Sequence, residues 1–170
     1  MKEKIILFTR VPKIGTTKTR LYDFMPPTEA VNIQKKLLKK NYDLLAETNR
    51  ELLVCHDGNS SDDKEMAELI SCDKFYYQKG DNLGDKMYNA LEEVISDSKV
   101  ILLGSDIFNL DKDIIEEAFD KLETHDVVIN PSEDGGYFLI GMKKAIKEVF
   151  DLPSYGDSSV LENLIKVLEK

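Results

Sequence analysis

The sequence predicts an α/β fold: three layers, with helices on both faces of a mixed, mostly parallel sheet. Short apolar runs alternate along the chain with amphipathic stretches of about a dozen residues, which is the pattern of strands joined by crossover helices. The run "VILLG" at residues 100–104 is uninterrupted, as is typical of a strand buried on both faces. We find no linker, repeat or low-complexity stretch, so we expect one domain over residues 1–170.

The first half of the chain is predicted to contain three strands and two helices. The apolar run 5–8 follows a charged start and indicates a buried strand. A helix is expected after the two prolines at 26–27, with Thr28 as its N-cap, because isoleucine and leucine then recur at helical spacing. The remaining elements are a strand at 51–56, a short helix through 66–70 and an aromatic strand at 74–78.

The second half continues the alternation. Leucine, methionine and valine at helical spacing predict an amphipathic helix over 83–95, which leads into the strand 100–104. A further helix is expected over 114–122 and another over 158–169. Between them lie two strands, 126–131 and 137–141, which are joined by the turn "SEDGG".

In sheets of this kind, ligands bind beyond the carboxyl ends of the strands. That rule selects four loops, at residues 9–21, 56–63, 104–110 and 131–136.

Composition and charge exclude several classes of protein. The net charge of −9 argues against a surface that binds nucleic acid, which would need a basic field. The apolar start is too short for a secretory signal or a membrane span, and the cysteines at 55 and 72 indicate reduced thiols. We therefore expect a cytoplasmic protein with no membrane span, whose oligomeric state the sequence does not give.

The loop "FTRVPKIGTTKTRL" concentrates positive charge in an acidic chain. Gly15 permits a tight turn, while Lys18 and Arg20 supply positive charge that can hold a phosphate. The loop is not a Walker A motif, because Thr17 rather than glycine precedes Lys18. Phosphate binding and an ordinary solvated basic loop both remain open.

Two further segments carry candidate residues. In "GSDIFNL", Asp106 can bind Mg²⁺ together with substrate phosphates, or it can simply cap the next turn. In "PSEDGGYFLIG", the two glycines permit close backbone approach to a ligand on which Tyr137 could pack. The spacing of this segment favours a plain reversal between strands.

These segments, together with "DNLGDKM", resemble a bacterial transferase family labelled as radical-SAM- and selenium-domain-associated and described as glycosyltransferase-like. Its wider relatives are the GT-A nucleotide-diphospho-sugar transferases, which include the molybdenum-cofactor and phospholactate guanylyltransferases. The resemblance runs from Ile5 to about Leu164 and implies a Rossmann-like GT-A fold. A generic flavodoxin-like domain is the competing interpretation, and a reversed strand at 137–141 would exclude it.

The resemblance also implies roles for individual residues. Nucleotide binding is implied for Arg10, Gly15, Lys18, Arg20, Gly84, Asp85 and Ser105. Catalysis is implied for Lys18, Arg20 and Asp106, with Asp106 as the ligand of Mg²⁺ or Mn²⁺. The acceptor or sugar would face Asp134, Gly135, Gly136 and Tyr137.

The chain departs from the family pattern in two places. The usual Gly-Ser-Asp-Cys-Pro-Asp-Leu motif reads Ile107, Phe108 and Asn109 after the shared Asp106. The family continues past its last helix to a late acidic metal ligand, whereas this sequence stops at Lys170, so we expect a shortened C-terminus. Asp157 and Asp134 are the candidates to replace that ligand.

The leading hypothesis is a metal-dependent glycosyltransferase that uses a nucleotide-sugar donor. The alternatives are a guanylyltransferase-like nucleotidyltransferase that releases pyrophosphate, and a catalytically impaired module that binds a nucleotide or nucleotide-sugar. Both reactions develop negative charge on phosphate oxygens, so the motifs do not separate them.

Overall fold

A six-stranded sheet lies at the centre of the computed structural model, which describes residues 1–169. The strands are β1 (Lys2–Thr9), β2 (Glu51–His56), β3 (Phe75–Tyr77), β4 (Ser98–Gly104), β5 (Val127–Pro131) and β6 (Tyr137–Met142). The helices are α1 (Pro27–Ala46), α2 (Asp63–Leu69), α3 (Leu83–Val94), α4 (Lys112–Thr124) and α5 (Val160–Leu168), with 3-10 turns at Thr19–Leu21 and Lys147–Val149.

The order of the strands across the sheet is β3-β2-β1-β4-β6-β5. Strands β1 to β4 are mutually parallel, whereas β6 runs antiparallel to both β4 and β5. The prediction of a mixed, mostly parallel sheet is confirmed, and the reversed β6 excludes the flavodoxin-like alternative. The chain moves from β1 outward to β3 on one side and then places β4 on the other side of β1. The carboxyl ends of β1 and β4 therefore form the topological switch point.

Helices cover both faces of the sheet, as predicted. Alternate residues of a strand point to opposite faces, so Ile5 and Leu7 of β1 pack in one layer and Ile6 packs in the other. The first layer contains residues of α1, α2 and α4, and the second contains residues of α3 and α5. The three-layer arrangement follows from strands that are apolar on both faces.

The predicted N-cap of α1 is wrong. Pro26 occupies the cap and Pro27 is the first helical residue, so Thr28 lies one position inside the helix. Proline is suited to the first turn because its fixed φ is helical and the missing N–H would have no partner there.

Strands β1 and β4 begin earlier than predicted, at Lys2 and Ser98. The polar residues at the start of these two strands pair with each other across the sheet. Glu3 of β1 accepts a hydrogen bond of 2.7 Å from Arg50 Nε and also forms an ion pair with Lys99 of β4. Because these strand residues are polar and are held by ion pairs, the hydrophobic pattern of the sequence does not identify them as part of a strand.

Within residues 1–169, no helix combines the length and the apolar character that crossing a bilayer requires.

Phe119 of α4 is the largest fully buried side chain, and the Arg50 guanidinium lies 4.6 Å from the centre of its ring. We expect Phe119→Ala to lower the free energy of unfolding by about 3–5 kcal/mol, because it removes packing and leaves a cavity. Urea denaturation followed by circular dichroism measures the loss. Phe24→Ala is the matched control, since Phe24 is 83% exposed and its removal should change stability by less than about 0.5 kcal/mol. Equal losses in the two variants would contradict this account of the core.

Candidate active site

A cavity of about 680 Å³ opens at the switch point, beyond the carboxyl ends of β1 and β4. Its size lies in the range of small-molecule sites, which is roughly 300–1,000 Å³. It is lined by Phe8, Thr9, Arg10, Thr17, Lys18, Gln34, Asp57, Gln78, Asp81, Asn82, Leu83, Lys86, Gly104, Ser105 and Asp106. The cavity thus lies where the topology of the sheet predicts a ligand.

The loop after β1 is anchored by buried polar contacts. The backbone N–H of Lys13 donates to Thr17 Oγ1 at 2.8 Å, and Thr17 is buried. Lys13 Nζ donates to Asp62 Oδ1 at 2.5 Å, and this hydrogen bond lowers the pKa of the Asp62 carboxyl below its usual value. The loop is therefore tied to the loop that follows β2.

Gly15 and Lys18 adopt backbone conformations that turn this loop towards the cavity. Gly15 has a φ of +91°, a backbone conformation that residues other than glycine rarely adopt. Its N–H donates to the Tyr22 hydroxyl at 2.8 Å. Lys18 lies in the left-handed region with φ 48° and ψ 40°. For a residue with a Cβ this conformation costs about 1–2 kcal/mol. Such strain is characteristic of functional loops.

Lys18 and Asp106 form an ion pair at the cavity. Lys18 Nζ donates to both carboxylate oxygens of Asp106, at 2.7 Å to Oδ1 and 2.6 Å to Oδ2. The Lys18 side chain is 14% exposed and that of Asp106 is 55% exposed. The pair brings together a cation from the β1 loop and a carboxylate from the β4 loop, in line with the expectation that ligands bind beyond the carboxyl ends of the strands.

Ser105 joins the ends of the two strands. Its hydroxyl lies 2.7 Å from Thr9 Oγ1 and accepts a hydrogen bond of 3.0 Å from Gln34 Nε2. Thr9, Gln34 and Ser105 are all buried. Ser105 therefore serves mainly to hold β1, β4 and α1 together, although it also lines the cavity.

Basic and acidic side chains line the cavity in equal numbers. Arg10, Lys18 and Lys86 face three aspartates, which are Asp57, Asp81 and Asp106. Asp57 is partly engaged, because its Oδ1 accepts a hydrogen bond of 2.8 Å from the N–H of Val11. An anionic ligand would meet as much negative as positive charge here, unless a cation accompanied it.

Among residues 1–169, no group of three or more histidine, cysteine, aspartate or glutamate side chains is arranged to hold a metal ion. Asp106 provides a single half-exposed carboxylate at the cavity. Mg²⁺ commonly binds one or two carboxylates and completes its coordination with water and substrate phosphates. The residues present therefore fit a metal that arrives with a phosphorylated ligand, and do not form a closed metal site.

Four of the predicted nucleotide-binding or catalytic residues come together at the cavity, namely Arg10, Lys18, Ser105 and Asp106. Gly15 and Arg20 lie outside its lining. Both are exposed, and Arg20 belongs to the 3-10 turn Thr19–Leu21, which has no buried residue. Within the described chain, the positive charge at the cavity thus comes from Arg10 and Lys86 as well as Lys18.

Gly84 and Asp85 begin α3, but they do not line the cavity. Asn82 caps this helix by accepting a hydrogen bond of 2.9 Å from the Asp85 N–H, and its own amide donates to Asp85 Oδ2 at 2.9 Å. A Cβ at Gly84 would lie 2.2 Å from the carbonyl oxygen of Phe150. Gly84 therefore allows α3 to pack closely, while Asn82 and Lys86 line the cavity in place of the two predicted residues.

The predicted acceptor residues form a turn that packs against the start of α5. Asp134 Oδ1 accepts hydrogen bonds from Ser132 Oγ at 2.5 Å and from the Gly136 N–H at 3.2 Å. Gly135 has a φ of +85° and its carbonyl accepts a hydrogen bond of 2.9 Å from the N–H of Leu161. None of Asp134, Gly135, Gly136 and Tyr137 is among the residues that line the cavity.

Tyr137 and Asp157 are also engaged elsewhere. Burial raises the pKa of the Tyr137 hydroxyl, which lies 3.9 Å from Met87 Sδ. Asp157 accepts hydrogen bonds of 2.5 Å from Ser154 and 2.6 Å from Ser159. Asp134 and Asp157 therefore serve local turns, and the structure brings neither of them to Asp106 as a second carboxylate.

Several cavity residues were not predicted individually. Asp57 and Asp81 follow strands β2 and β3, so the rule that selected the loops could have identified them. Gln34, which lines the cavity, and Asn41, which does not, had a different signal, because they interrupt the apolar face of α1 about two turns apart. A buried polar residue on an apolar face needs a partner, and here that partner is the loop after β4.

Comparisons with known proteins identify a matching family model and two curated relatives. The model of a family described as an uncharacterized protein conserved in bacteria (DUF2064) matches residues 39–157. A 2-phospho-L-lactate guanylyltransferase of Methanobrevibacter ruminantium is 26% identical over 144 residues, which cover 79% of this chain and 62% of the relative. Its namesake in Methanocaldococcus jannaschii is 29% identical over 171 residues, which cover 96% and 69%. The chain thus spans about two thirds of the length of these relatives.

Two solved structures share the fold. A protein of Desulfovibrio desulfuricans G20, provisionally assigned as a nucleotide-diphospho-sugar transferase, superposes with a TM-score of 0.90 at 28% identity, covering 99% of this chain and 76% of its own. The 4-diphosphocytidyl-2C-methyl-D-erythritol synthase of Anaerococcus prevotii gives a TM-score of 0.57 at 12% identity, covering 95% and 82%, and supports the fold alone. The predicted nucleotide-diphospho-sugar transferase fold is confirmed, while the association with radical-SAM and selenium domains stays a prediction.

Alanine substitutions at Gly135 and Gly136 distinguish a structural role of the turn from a ligand-binding role. A Cβ at Gly135 would lie 2.3 Å from the carbonyl oxygen of Ser158, whereas a Cβ at Gly136 would meet its nearest atoms at 3.4 Å. We expect Gly135→Ala to lower the midpoint of thermal unfolding by several degrees, since a positive φ and a backbone clash are combined there. Gly136→Ala should change it little. Differential scanning calorimetry of both variants measures this, and equal midpoints would contradict the structural role.

Proposed function

The chain belongs to the DUF2064 family, and from that premise we propose that it is a metal-dependent nucleotidyltransferase. It would transfer a nucleoside monophosphate from a nucleoside triphosphate to a phosphorylated acceptor and release pyrophosphate. The observation that carries this proposal is the meeting of Lys18 and Asp106 at the cavity, at 2.6–2.7 Å. A cation for phosphate oxygens and a carboxylate for a metal thereby lie side by side at the switch point of the sheet.

The reaction would form one bond and break one. An oxygen of the acceptor phosphate attacks the α-phosphorus of the triphosphate, and the bond from that phosphorus to the bridging oxygen of the β-phosphate breaks. The electron pair leaves with pyrophosphate. Negative charge increases on the departing oxygens, and Lys18 and Arg10, which both line the cavity, are placed to stabilise it.

The resting ion pair explains how the site is prepared without a ligand. Lys18 holds the Asp106 carboxylate, which would otherwise repel phosphate oxygens. Because the Asp106 carboxylate is half exposed, a ligand can reach it and exchange partners with the pair. When bound at Asp106, Mg²⁺ or Mn²⁺ would neutralise phosphate charge, and Lys18 would be free to donate to the phosphates.

The relatives favour nucleotidyl transfer over the leading hypothesis of glycosyl transfer. Two of them are named as guanylyltransferases, which is the alternative that the sequence left open. Glycosyl transfer remains the second candidate, because the structure from Desulfovibrio desulfuricans is assigned to the nucleotide-diphospho-sugar transferases.

The released product distinguishes the candidates. Purified protein is incubated with GTP, Mg²⁺ and 2-phospho-L-lactate, the compound that the relatives' names supply as a first acceptor, and in parallel with nucleotide-sugars and sugar acceptors. Pyrophosphate released from GTP, together with an acceptor linked to GMP, supports the proposal. A nucleoside diphosphate released from a nucleotide-sugar supports glycosyl transfer instead. Nucleotide binding without either product, measured by calorimetry, supports a module that binds without catalysis.

Lys18 and Asp106 should both be required for turnover. We expect Lys18→Ala and Asp106→Ala each to lower kcat about a hundredfold or more, since removal of one transition-state contact commonly has this effect. Lys39→Ala and Asp43→Ala are matched controls, because these residues form an exposed pair of 2.9 Å within α1, away from the cavity lining. Pyrophosphate release measures turnover, and circular dichroism confirms folding. Full activity in either cavity variant would sink the assignment.

Removal of divalent metal tests the role of Asp106 separately. In the presence of EDTA we expect nucleotide affinity to fall at least tenfold in the wild type, because the three aspartates offset the three basic side chains and no metal charge is left to attract the phosphates. In Asp106→Asn the dependence on Mg²⁺ should largely disappear. Calorimetric titration of GTP with and without Mg²⁺ measures both effects. An unchanged dependence on Mg²⁺ in Asp106→Asn would place the metal elsewhere.

A further inference from the structure

A buried asparagine in α1 holds the backbone on both sides of Asp106. The Asn41 side chain is fully buried, and its Nδ2 donates to the carbonyl oxygens of Ser105 and Ile107, each at 2.9 Å. These two carbonyls flank Asp106 in the sequence. The position of the Asp106 backbone is therefore tied to a helix in the core, although the Asp106 side chain is half exposed.

The side-chain oxygen of the same asparagine lowers the stability of the fold. Asn41 Oδ1 is buried and accepts no hydrogen bond from any of residues 1–169. A buried acceptor without a partner costs free energy, because it has lost its hydrogen bonds to water. The neighbouring buried residues on this helix face, Leu38 and Leu45, are apolar, so an apolar side chain would fit the pattern. Asparagine differs from an apolar residue at this position because it donates two hydrogen bonds to the loop after β4.

Other side chains of α1 reinforce this contact. Gln34, two turns earlier, donates to the Ser105 hydroxyl at 3.0 Å, and Lys40 Nζ donates to the Phe108 carbonyl at 2.6 Å. Polar side chains of one helix thus form hydrogen bonds with three of the four residues from 105 to 108, namely Ser105, Ile107 and Phe108. The residue that it does not contact in this way is Asp106, which remains available to a ligand.

We propose that Asn41 is a positioning residue for Asp106: by holding the carbonyls of Ser105 and Ile107, it fixes the backbone that places the carboxylate at the cavity beside Lys18. The inference rests on the proposed nucleotidyl transfer and names a residue on which that reaction depends without contact to the substrate. Groups that orient a metal-binding side chain typically change affinity or activity about 10–100-fold when they are removed.

Two substitutions test this role. Asn41→Ala removes both donors, and Asn41→Asp keeps the size of the side chain but offers at most one donor, the O–H of a protonated carboxyl. We expect kcat/KM for GTP to fall at least tenfold in each, with a higher Mg²⁺ concentration for half-maximal activity. Asn32→Ala is the matched control, since Asn32 is an exposed asparagine of the same helix. An unchanged Mg²⁺ dependence in folded variants would overturn the proposal, as would global unfolding of both, which would make Asn41 a residue of the core alone.

NMR relaxation of the ligand-free protein tests the positioning without any activity. We expect the backbone order parameters of residues 106–110 to fall in Asn41→Ala, because the loop loses its two hydrogen bonds to Asn41, while those of β1 and β4 stay unchanged. Unchanged order parameters in 106–110 would overturn the positioning role. If the wild type transfers no nucleotide but the order parameters still fall in this segment, the proposed function fails while the structural link between Asn41 and the Asp106 loop stands.

Discussion

The pairing of β1 with β4 is the constraint on which the candidate site depends. Their parallel register brings Phe8 opposite Gly104, so the two chains leave the sheet side by side. The hydroxyls of Thr9 and Ser105, 2.7 Å apart and buried, then join the first residue of each loop. A hydrogen bond between buried groups is costly to break, because neither hydroxyl would find water in its place. The loops that carry Lys18 and Asp106 therefore start from a fixed point.

Rigid anchoring and local exposure are combined in these loops. Thr17, which precedes Lys18, is buried, and so is Ser105, which precedes Asp106. The charged residues themselves lie at the cavity, where the lysine is held in a left-handed backbone conformation. Burial of the preceding residue anchors the backbone of each charged residue, while the half-exposed carboxylate of Asp106 remains accessible to a ligand.

Much of the fold could be predicted from the sequence, because strands buried on both faces and amphipathic helices have distinct periods. The reversal at β6 was visible in the Asp-Gly turn, and Lys18 and Asp106 followed from charged side chains in loops after strands. Arg10 was implied by the family resemblance, and Arg20, chosen with Lys18 for its charge, lies outside the cavity lining. The glycines were harder to interpret. Gly84 and Gly135 both allow close approach, but to the backbone of Phe150 and Ser158 rather than to a ligand. A glycine in the sequence does not show whether a ligand or another part of the backbone lies close to it.

The balance of charge around the cavity has a consequence for the kinetics of association. A chain of net charge −9 that offers equal numbers of acidic and basic side chains at its cavity provides no attractive long-range field for an anion. A free nucleotide is therefore not steered towards the site, and its encounter rate should lack the acceleration that a basic funnel provides. The selection of an anionic ligand then occurs after contact, through short-range exchange of partners, and added salt should slow its capture little.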